Sequence, residues 1–510
     1  WEMTQHSLVS PHDAVGTNLF AHVLRGQLMR VVPRQNDAIN ETWIADRDRY
    51  RCEGLYTADR ASKPMLKDGG TWREVDWETA LEAAAQGLAK IARESGAGQL
   101  GFLVSPTATL EELALTAKIA RGLGSDNIDH RLRRIDFRDQ AGDPVAPLLG
   151  CPIAALDTAS AVLVVGSNLR KEVPIIAHRI RQGVVRGRSK VAFVNPQALD
   201  VTFPVLASLT SNGLGMAQHV AAVLAAALRA QGKATPAHVA TALEGITPTA
   251  EHEKIAQALS EGETRLIVLG ALAQRHVSYA EIRALAAALA AATGATLGYL
   301  PEGGNAVGAA LAGVLPHRGT AGRVVSKSGL HVAEMLSARL KGYVLVGGVE
   351  PADVAPSPGL EAAAQAADCV VAITPYAGPE ILGIASIILP AAAFAETSGT
   401  WINVEGRWQS VAGAARPPGA ARPAWKVLRV LGNLLALKGF DYVSSEEVRD
   451  ELQREVGTFN SATAATSFAP GRLASVDSTR EVGIYRVDAV VRRSQPLQQT
   501  LDGQSTGGAA

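Results

Sequence analysis

The sequence predicts an α/β protein built around mostly parallel sheets covered by helices on both faces. Three observations carry that expectation. Apolar runs of strand length recur along the chain, at residues 100–104, 161–165, 191–194, 265–269, 343–346, 369–373 and 386–389. They are apolar at successive positions, as strands buried on both faces are. Between them stand segments with apolar residues at helical spacing, and strand then helix at this pitch gives βαβ units. The composition agrees: 47% of the 510 residues are apolar and only 5% aromatic, which suits helices and buried strands.

The same composition narrows the function classes. The length allows two or three domains and a large core. Lysine plus arginine (49) equals aspartate plus glutamate (49), so no overall field favours nucleic acid or an anionic membrane. Cys52, Cys151 and Cys369 are scattered, form neither a disulfide framework nor a metal motif, and suit a reducing compartment. The longest uncharged run, 284–301, is broken by Thr293 and Gly294 and reads as a helix stopped at Gly294 followed by a short strand, not a membrane span. No signal peptide is visible, and a chain that begins at Trp1 is expected to be a fragment with further residues upstream.

In chain order, residues 20–24 and 27–32 flank Arg25-Gly26 as a hairpin does. Asp76 precedes a helical stretch that ends at Gly96. After the strand at 100–104, Ser105-Pro106-Thr107 leads into a helix with acids early and Lys118 and Arg121 late, as the macrodipole favours. Residues 127–139, NIDHRLRRIDFRD, taken alone read as a solvated loop or a basic patch offset by Asp129, Asp136 and Asp139. The strand at 161–165 ends in Gly166-Ser167-Asn168, and alanine-rich helices at 216–231 and 279–293 flank the strand at 265–269. Glycine-rich turns at strand ends are natural phosphate cradles. No GxGxxG or P-loop pattern argues for NAD or ATP.

The chain is organised around 386–409, SIILPAAAFAETSGTWINVEGRWQ. Ile387, Ile388 and Leu389 form the buried strand, Pro390 ends its ladder, Thr397-Ser398-Gly399 turns, and 400–404 is extended again. Its charges, Glu396, Glu405 and Arg407, read plainly as a solvated hairpin with one weak ion pair. In 300–319, Glu302, Asn305, His317 and Arg318 suggest an acid/base cluster, but nothing pairs a nucleophile with a base, and a glycine-rich surface loop against a neighbouring subunit is the preferred reading. Residues 441–510 lose periodicity. Within them, 457–467 is too poor in apolar side chains to offset backbone entropy. Residues 441–510 read as an assembly arm that orders only against neighbouring subunits, with the strand-like piece at 483–491, Ile484, Tyr485, Val487, Ala489, Val490 and Val491 beside Arg492 and Arg493, as its docking patch.

The order strand, proline, small apolar residues, acid, glycine, then aromatic-x-Asn-x-Glu-Gly-Arg resembles the segment that molybdopterin oxidoreductases carry late in their α/β core. The resemblance runs from Pro11 to about Leu501 and is strongest at 1–50, 298–319 and 386–409. Within that family it points to non-catalytic members, the large iron–sulfur subunits (G type) of NADH:quinone oxidoreductase, complex I. The implied architecture is two interleaved parallel-sheet, Rossmann-like domains behind a small N-terminal β unit. Residues 1–60 would be the β unit, a degenerate iron–sulfur region; 61–440 the two α/β domains, 61–130 with 335–440 and 131–334 inserted; and 441–510 a C-terminal tail in place of a closing β-barrel domain.

The resemblance also places functional positions. Bacterial relatives with an extra cluster carry Cys-x2-Cys-x3-Cys and a fourth cysteine after 27 more residues; here those positions are Ser10, Asp13, Thr17 and Ala45, without a thiol. His6, His12 and Asp13 on the same loop are a loose group, not a replacement metal site. The residue that ligates the metal in catalytic relatives falls on Ile135, which has no donor atom. Those relatives hold a pterin dinucleotide at two Gly-x-Asn-Pro turns; the matching residues are Gly166-Ser167-Asn168-Leu169 and Gly348-Val349-Glu350-Pro351, and Glu350 would repel a pyrophosphate. The implied function is a scaffold of the complex I hydrophilic arm, with no catalytic, cofactor-binding or metal-ligating residue in this stretch. NADH-to-quinone electron transfer would run through [2Fe–2S] and [4Fe–4S] clusters bound upstream. The implied partners are the other hydrophilic-arm subunits, including the flavin-bearing NADH-oxidising subunit, with no nucleic acid and no direct membrane insertion. The implied location is peripheral, at the cytoplasmic face of the bacterial inner membrane. The alternative is an active molybdenum or tungsten pterin oxidoreductase of the formate dehydrogenase type, against which Ile135 speaks. An unrelated Rossmann-type enzyme lacks a phosphate fingerprint.

Overall fold

The apolar runs assemble into two sheets in a computed structural model that describes residues 2–211, 213–355, 359–459, 468–475 and 483–504. The larger sheet has seven strands in the order Thr71–Glu74, Met65–Asp68, Ile387–Pro390, Cys369–Thr374, Gly342–Val346, Leu100–Val104 and Ile128–Asp129. Its strands from Ile387–Pro390 to Ile128–Asp129 are parallel, and the Met65–Asp68/Thr71–Glu74 hairpin adds an antiparallel edge. The smaller sheet has five parallel strands in the order Ala207–Thr210, Lys190–Asn195, Ala161–Val165, Arg265–Leu269 and Thr296–Tyr299. The larger sheet thus draws its strands from chain segments on either side of those that build the smaller one. Ile387, Ile388 and Leu389 are buried, each contributing roughly 1.5–3 kcal/mol.

Each sheet has one place where the chain reverses its direction of growth. In the larger it lies between Leu100–Val104 and Gly342–Val346; in the smaller, between Ala161–Val165 and Arg265–Leu269. Open α/β sheets bind their ligands in the crevice at the carboxyl ends of such strands.

The local chemistry that forms the helices is as the sequence suggests. Asp76 caps Trp77–Glu94 by accepting from the Thr79 amide at 2.7 Å. Thr109 and Glu112 make a reciprocal capping box at the start of Leu110–Gly122. Tyr279–Thr293 stops at Gly294, whose φ of 71° is left-handed. Ahead of the sheets, Thr4–Val9, Asn18–Leu24 and Gln27–Pro33 form an antiparallel three-stranded unit. Its turn has φ of 52° at Arg25 and 86° at Gly26, the pair of positive values that suits a twisted hairpin. Among the described residues no helix is long and apolar enough to cross a membrane.

Several expectations are corrected. Residues 127–139 are not a solvated loop: Asp129, Arg133, Arg134, Asp136 and Asp139 are buried and ion-paired. Residues 300–319 are not a surface loop, because Ala306–Leu311 is a buried helix in the core packed on the larger sheet. Asn305, wholly buried, donates to the Ala108 and Thr400 carbonyls at 2.8 and 3.0 Å and accepts from the Ile402 amide at 2.9 Å. The 386–409 charges are only partly a hairpin surface: Arg407 is exposed, but Glu396 is buried and grips Arg60 through two hydrogen bonds of 3.0 and 2.7 Å. Beyond residue 441 periodicity returns in Ser445–Val456, which buries Val448, Leu452 and Val456 and docks on Leu110–Gly122 through Lys118–Glu451 at 2.8 Å. Most of 457–467 lies outside the described residues.

Candidate functional site

The carboxyl ends of both sheets face one cleft. The turns that follow Leu100–Val104 and Gly342–Val346 bring Thr107 and Asp353 to it, and those that follow Ala161–Val165, Arg265–Leu269 and Thr296–Tyr299 bring Glu172, Arg275 and Glu302. Topology therefore puts both reversal points of the fold around the same hollow, the position where an α/β protein holds a ligand.

The hollow is already occupied. Ile484, Val487, Asp488 and Val491, from the end of the chain, form one of its walls. What remains open there is about 40 Å³, with two adjoining hollows of about 60 Å³ each, one sharing His12 and Asp488 and the other Arg133 and Glu302; each holds a few water molecules and is far too small for a nucleotide. The segment is not the strand its sequence suggests but two short 3-10 turns, Ile484–Arg486 and Val491–Arg493, followed by Gln495–Gln498 and Leu501–Gln504. Nor does it wait for another subunit: Val491, Ser494 and Leu497 are buried within this chain.

Charge pairing explains why. Glu350, 1% exposed, accepts from Arg493 at 2.7 Å and from Arg492 at 3.0 Å. Arg492 also reaches Asp353 at 2.5 Å, Asp353 pairs with Arg133 at 2.6 Å, and Arg133 pairs with Glu302 at 3.0 Å. Glu302 is shared with Arg275, and at the other end Arg493 reaches Asp59 at 2.6 Å while its guanidinium lies 3.9 Å from the centre of the Tyr376 ring. One continuous network thus joins the region after the N-terminal unit, the terminal segment, the larger sheet and the smaller sheet. Burial pushes the Glu350 carboxyl above its ordinary value, against the pull of Arg492 and Arg493. Burial also disfavours ionised Glu302, but Arg275 and Arg133 outweigh it and hold that carboxyl below its ordinary value. Each charge in the network is paired with another. The sequence singles out Glu350 and Glu302 but assigns Arg492 and Arg493 to a foreign surface. The missed signal was Glu350 itself, since a buried carboxylate at a strand end needs a cation.

At the other sequence-predicted positions, the Ser10 amide donates to the Thr17 carbonyl at 2.9 Å, and the Thr17 hydroxyl is buried without a hydrogen bond among the described residues. Asp13 is taken up by Arg47 at 2.9 Å and the Val15 amide at 3.1 Å, and burial raises its carboxyl against the pull of Arg47. Ala45 precedes the helix Asp46–Tyr50, which carries Arg47. His12 pairs with Asp488 at 3.0 Å, and His6 lies apart, bonded to Thr4. Ile135 is half-buried. The Ser167 amide donates to Asn195, and the Asn168 amide to Glu172. His317 is half-buried, and Arg318 donates to the carbonyls of Pro144 and Ala141. Among the described residues no group of three His, Cys, Asp or Glu side chains is placed to hold a metal ion.

Residues 60–434 match the family model described as molybdopterin oxidoreductase, and residues 5–53 match one described as the NADH-ubiquinone oxidoreductase NDSU1/NuoG-like 4Fe-4S domain. The chain is 26% identical over 457 residues to the mitochondrial NADH-ubiquinone oxidoreductase 78 kDa subunit of Candida albicans, covering 88% of this chain and 55% of that protein. It is 24% identical to the 75 kDa subunit of Reclinomonas americana, covering 88% and 59%. Over 192 residues it is 30% identical to an NADH-quinone oxidoreductase subunit of Rickettsia felis, covering 38% and 28%. The chain thus spans little more than half the length of the first two. Among solved structures, acetylene hydratase from Pelobacter acetylenicus superposes with a TM-score of 0.53 at 13% identity, covering 86% of this chain and 70% of that one, a likeness of fold.

The two family matches imply a pterin cofactor and an iron–sulfur cluster, and neither fits the residues present. The cleft lacks the volume for the first, and Ile135 offers only hydrocarbon to a metal. For the second, the side chains at the four positions that the sequence resemblance gives to cluster ligands are two hydroxyls, a carboxylate already held by Arg47, and a methyl group. The one thiol in the matched stretch, Cys52, is buried in an apolar cluster, where burial raises its pKa and disfavours the thiolate that iron requires.

Proposed function

We propose, for a chain that belongs to the molybdopterin oxidoreductase family, a structural role in the hydrophilic arm of NADH:quinone oxidoreductase, with no redox centre in the stretch described. The observation that carries this reading is the cleft at the carboxyl ends of both sheets. The fold keeps its ligand position and fills it with its own side chains. Relatives named as subunits of NADH-ubiquinone oxidoreductase supply the context, and the match of residues 5–53 to an iron–sulfur domain supplies the ancestry.

In this role the two α/β units and the N-terminal unit, with the approximate boundaries given above, present surface to neighbouring subunits, the flavin-bearing one among them. The [2Fe–2S] and [4Fe–4S] clusters that carry electrons belong to other parts of the whole protein. The location is peripheral, on the cytoplasmic face of the membrane that holds the complex. Affinity purification of the tagged full-length protein tests this. The expected result is recovery with the flavin-bearing subunit, without molybdenum or tungsten and without a cluster assignable to residues 5–53 by EPR of the purified stretch. About one molybdenum or tungsten per chain overturns it in favour of an active pterin oxidoreductase.

A further inference from the structure

We propose that residues 483–504 are an intramolecular peptide ligand of the cleft: they sit at the carboxyl ends of both sheets, where a small molecule would otherwise bind, and latch the N-terminal unit and the two α/β units together. The contacts divide among all three. Asp488 meets His12, the Ser494 hydroxyl donates to the Tyr50 carbonyl at 2.7 Å, and Arg493 reaches Asp59. On the larger sheet's side Arg492 and Arg493 hold Glu350, and Arg492 holds Asp353. Toward the smaller sheet, the Val487 carbonyl accepts from Arg133 at 3.2 Å, and Arg133 continues to Glu302.

The chemistry makes the segment a ligand and not merely a terminus that lies on a surface. Glu350 is almost wholly buried, and its two cations both come from the segment. With the segment in place, Glu350 is a buried carboxylate that depends on both cations, and removing one while it stays buried is strongly disfavoured. The cleft therefore selects a cationic peptide. Two adjacent arginines match the Glu350–Asp353 turn, Val490 and Val491 fill the apolar part of the hollow, and the Tyr376 ring stacks one guanidinium. Asp488 orders the approach from within, since its carboxylate also accepts from the Val490 and Val491 amides at 2.8 and 3.0 Å.

Hydrogen exchange and peptide binding on the full chain test the proposal. In the wild-type chain, amides of 484–493 exchange slowly. In Arg493→Gln and in Glu350→Gln they exchange faster by about tenfold, as loss of one charge-assisted hydrogen bond brings, while the strands of both sheets keep their protection. The double variant accelerates by clearly less than the product of the two, because both changes remove the same pair. A synthetic peptide of sequence 483–504 binds the Arg493→Gln chain about tenfold more tightly than wild type, because the open fraction is about tenfold larger. Unchanged exchange in both single variants overturns the latch, and so does a fully multiplicative double variant. If Arg493→Gln also loses protection in the sheets, Arg493→Lys replaces it. That variant keeps the charge but loses the fork and the stacking, and wild-type exchange there is equally fatal to the proposal.

Discussion

The side chains of His12 and Asp488, 476 positions apart in sequence, meet at 3.0 Å, and both are buried. Burial alone would raise the Asp488 carboxyl, but His12 and the amides of Val490 and Val491 pull it below its ordinary value. A group with a depressed folded pKa stabilises fully above its unfolded value, about 3.9 for Asp, and loses that contribution as pH falls through the folded value. At neutral pH, Asp488→Ala strands His12 and two amides and should cost about 3–5 kcal/mol, as a broken buried pair does. Asp488→Asn keeps an oxygen for the amides and should cost roughly half as much. Urea unfolding at pH 7 measures both, and equal losses would show that the two amide contacts contribute nothing.

Asn305 offers a second prediction. It donates to two buried carbonyls and accepts from one buried amide, tying Gly399–Ile402 to the loop that precedes Leu110–Gly122. Asn305→Asp keeps the shape but removes both donors and sets a carboxylate against two carbonyl oxygens. Each orphaned group costs about 1–3 kcal/mol, so the aspartate variant should lose at least as much stability as Asn305→Ala. A milder effect of the aspartate would mean that the carbonyls find other donors.

The burial of Asn305 shows where sequence reasoning reached its limit. The strands were legible because a run apolar on both faces has few other homes, and the start at Asp76 because that cap acts within three residues of itself; the cap of Leu110–Gly122 is Thr109, beyond the Ser105-Pro106-Thr107 turn that the sequence suggests. The Met65–Asp68/Thr71–Glu74 hairpin was overlooked although Gly69 and Gly70, both at positive φ, mark its turn. The charged segments were misread for a physical reason. Arg133 is neutralised by Glu302 and Asp353, 169 and 220 positions away, and Arg493 by Glu350, 143 positions away. A charge looks solvated until its distant partner is known, so the identity of the cleft was readable from local motifs and its occupancy was not.

A third prediction concerns pH. Burial pushes Glu112 up to about 7, with the charge of Glu111 adding to it against the Thr109 amide. The folded state binds the extra proton between the unfolded value, about 4.3, and the folded one, so stability contributed by this group grows as pH falls from about 8 to about 4. Glu112→Gln keeps the capping box without a titrating group. It should therefore be more stable than wild type by about 1–3 kcal/mol at pH 8, with the difference closing only as pH falls below about 4. His130 and His252, which burial lowers to about 4, pull the other way in both proteins and cancel in the difference. Parallel profiles for the two proteins would refute the assignment.

Gly54 gives the last prediction, and it separates the terminal latch from the rest of the fold. This glycine lies in the short helix Arg51–Tyr56 without a left-handed φ, so its own backbone would accept alanine. In an otherwise free position, Gly→Ala at a compatible backbone stabilises by about 0.4–1 kcal/mol, by restricting the unfolded chain. Here a Cβ would stand 2.2 Å from the Val490 carbonyl oxygen and 3.1 Å from its carbon, backbone atoms of the terminal segment that no side-chain rotation can move aside. Val490 must therefore shift, and with it the Asp488 and Arg493 contacts on either side. Gly54→Ala is expected to lower the unfolding midpoint and to speed exchange in 484–493, while the three-stranded unit Thr4–Val9, Asn18–Leu24 and Gln27–Pro33 keeps its protection. Adding Arg493→Gln to Gly54→Ala should then change little, because the segment has already left. If Gly54→Ala instead stabilises the full chain, the terminal segment does not press on the N-terminal unit, and the three units are held together without it.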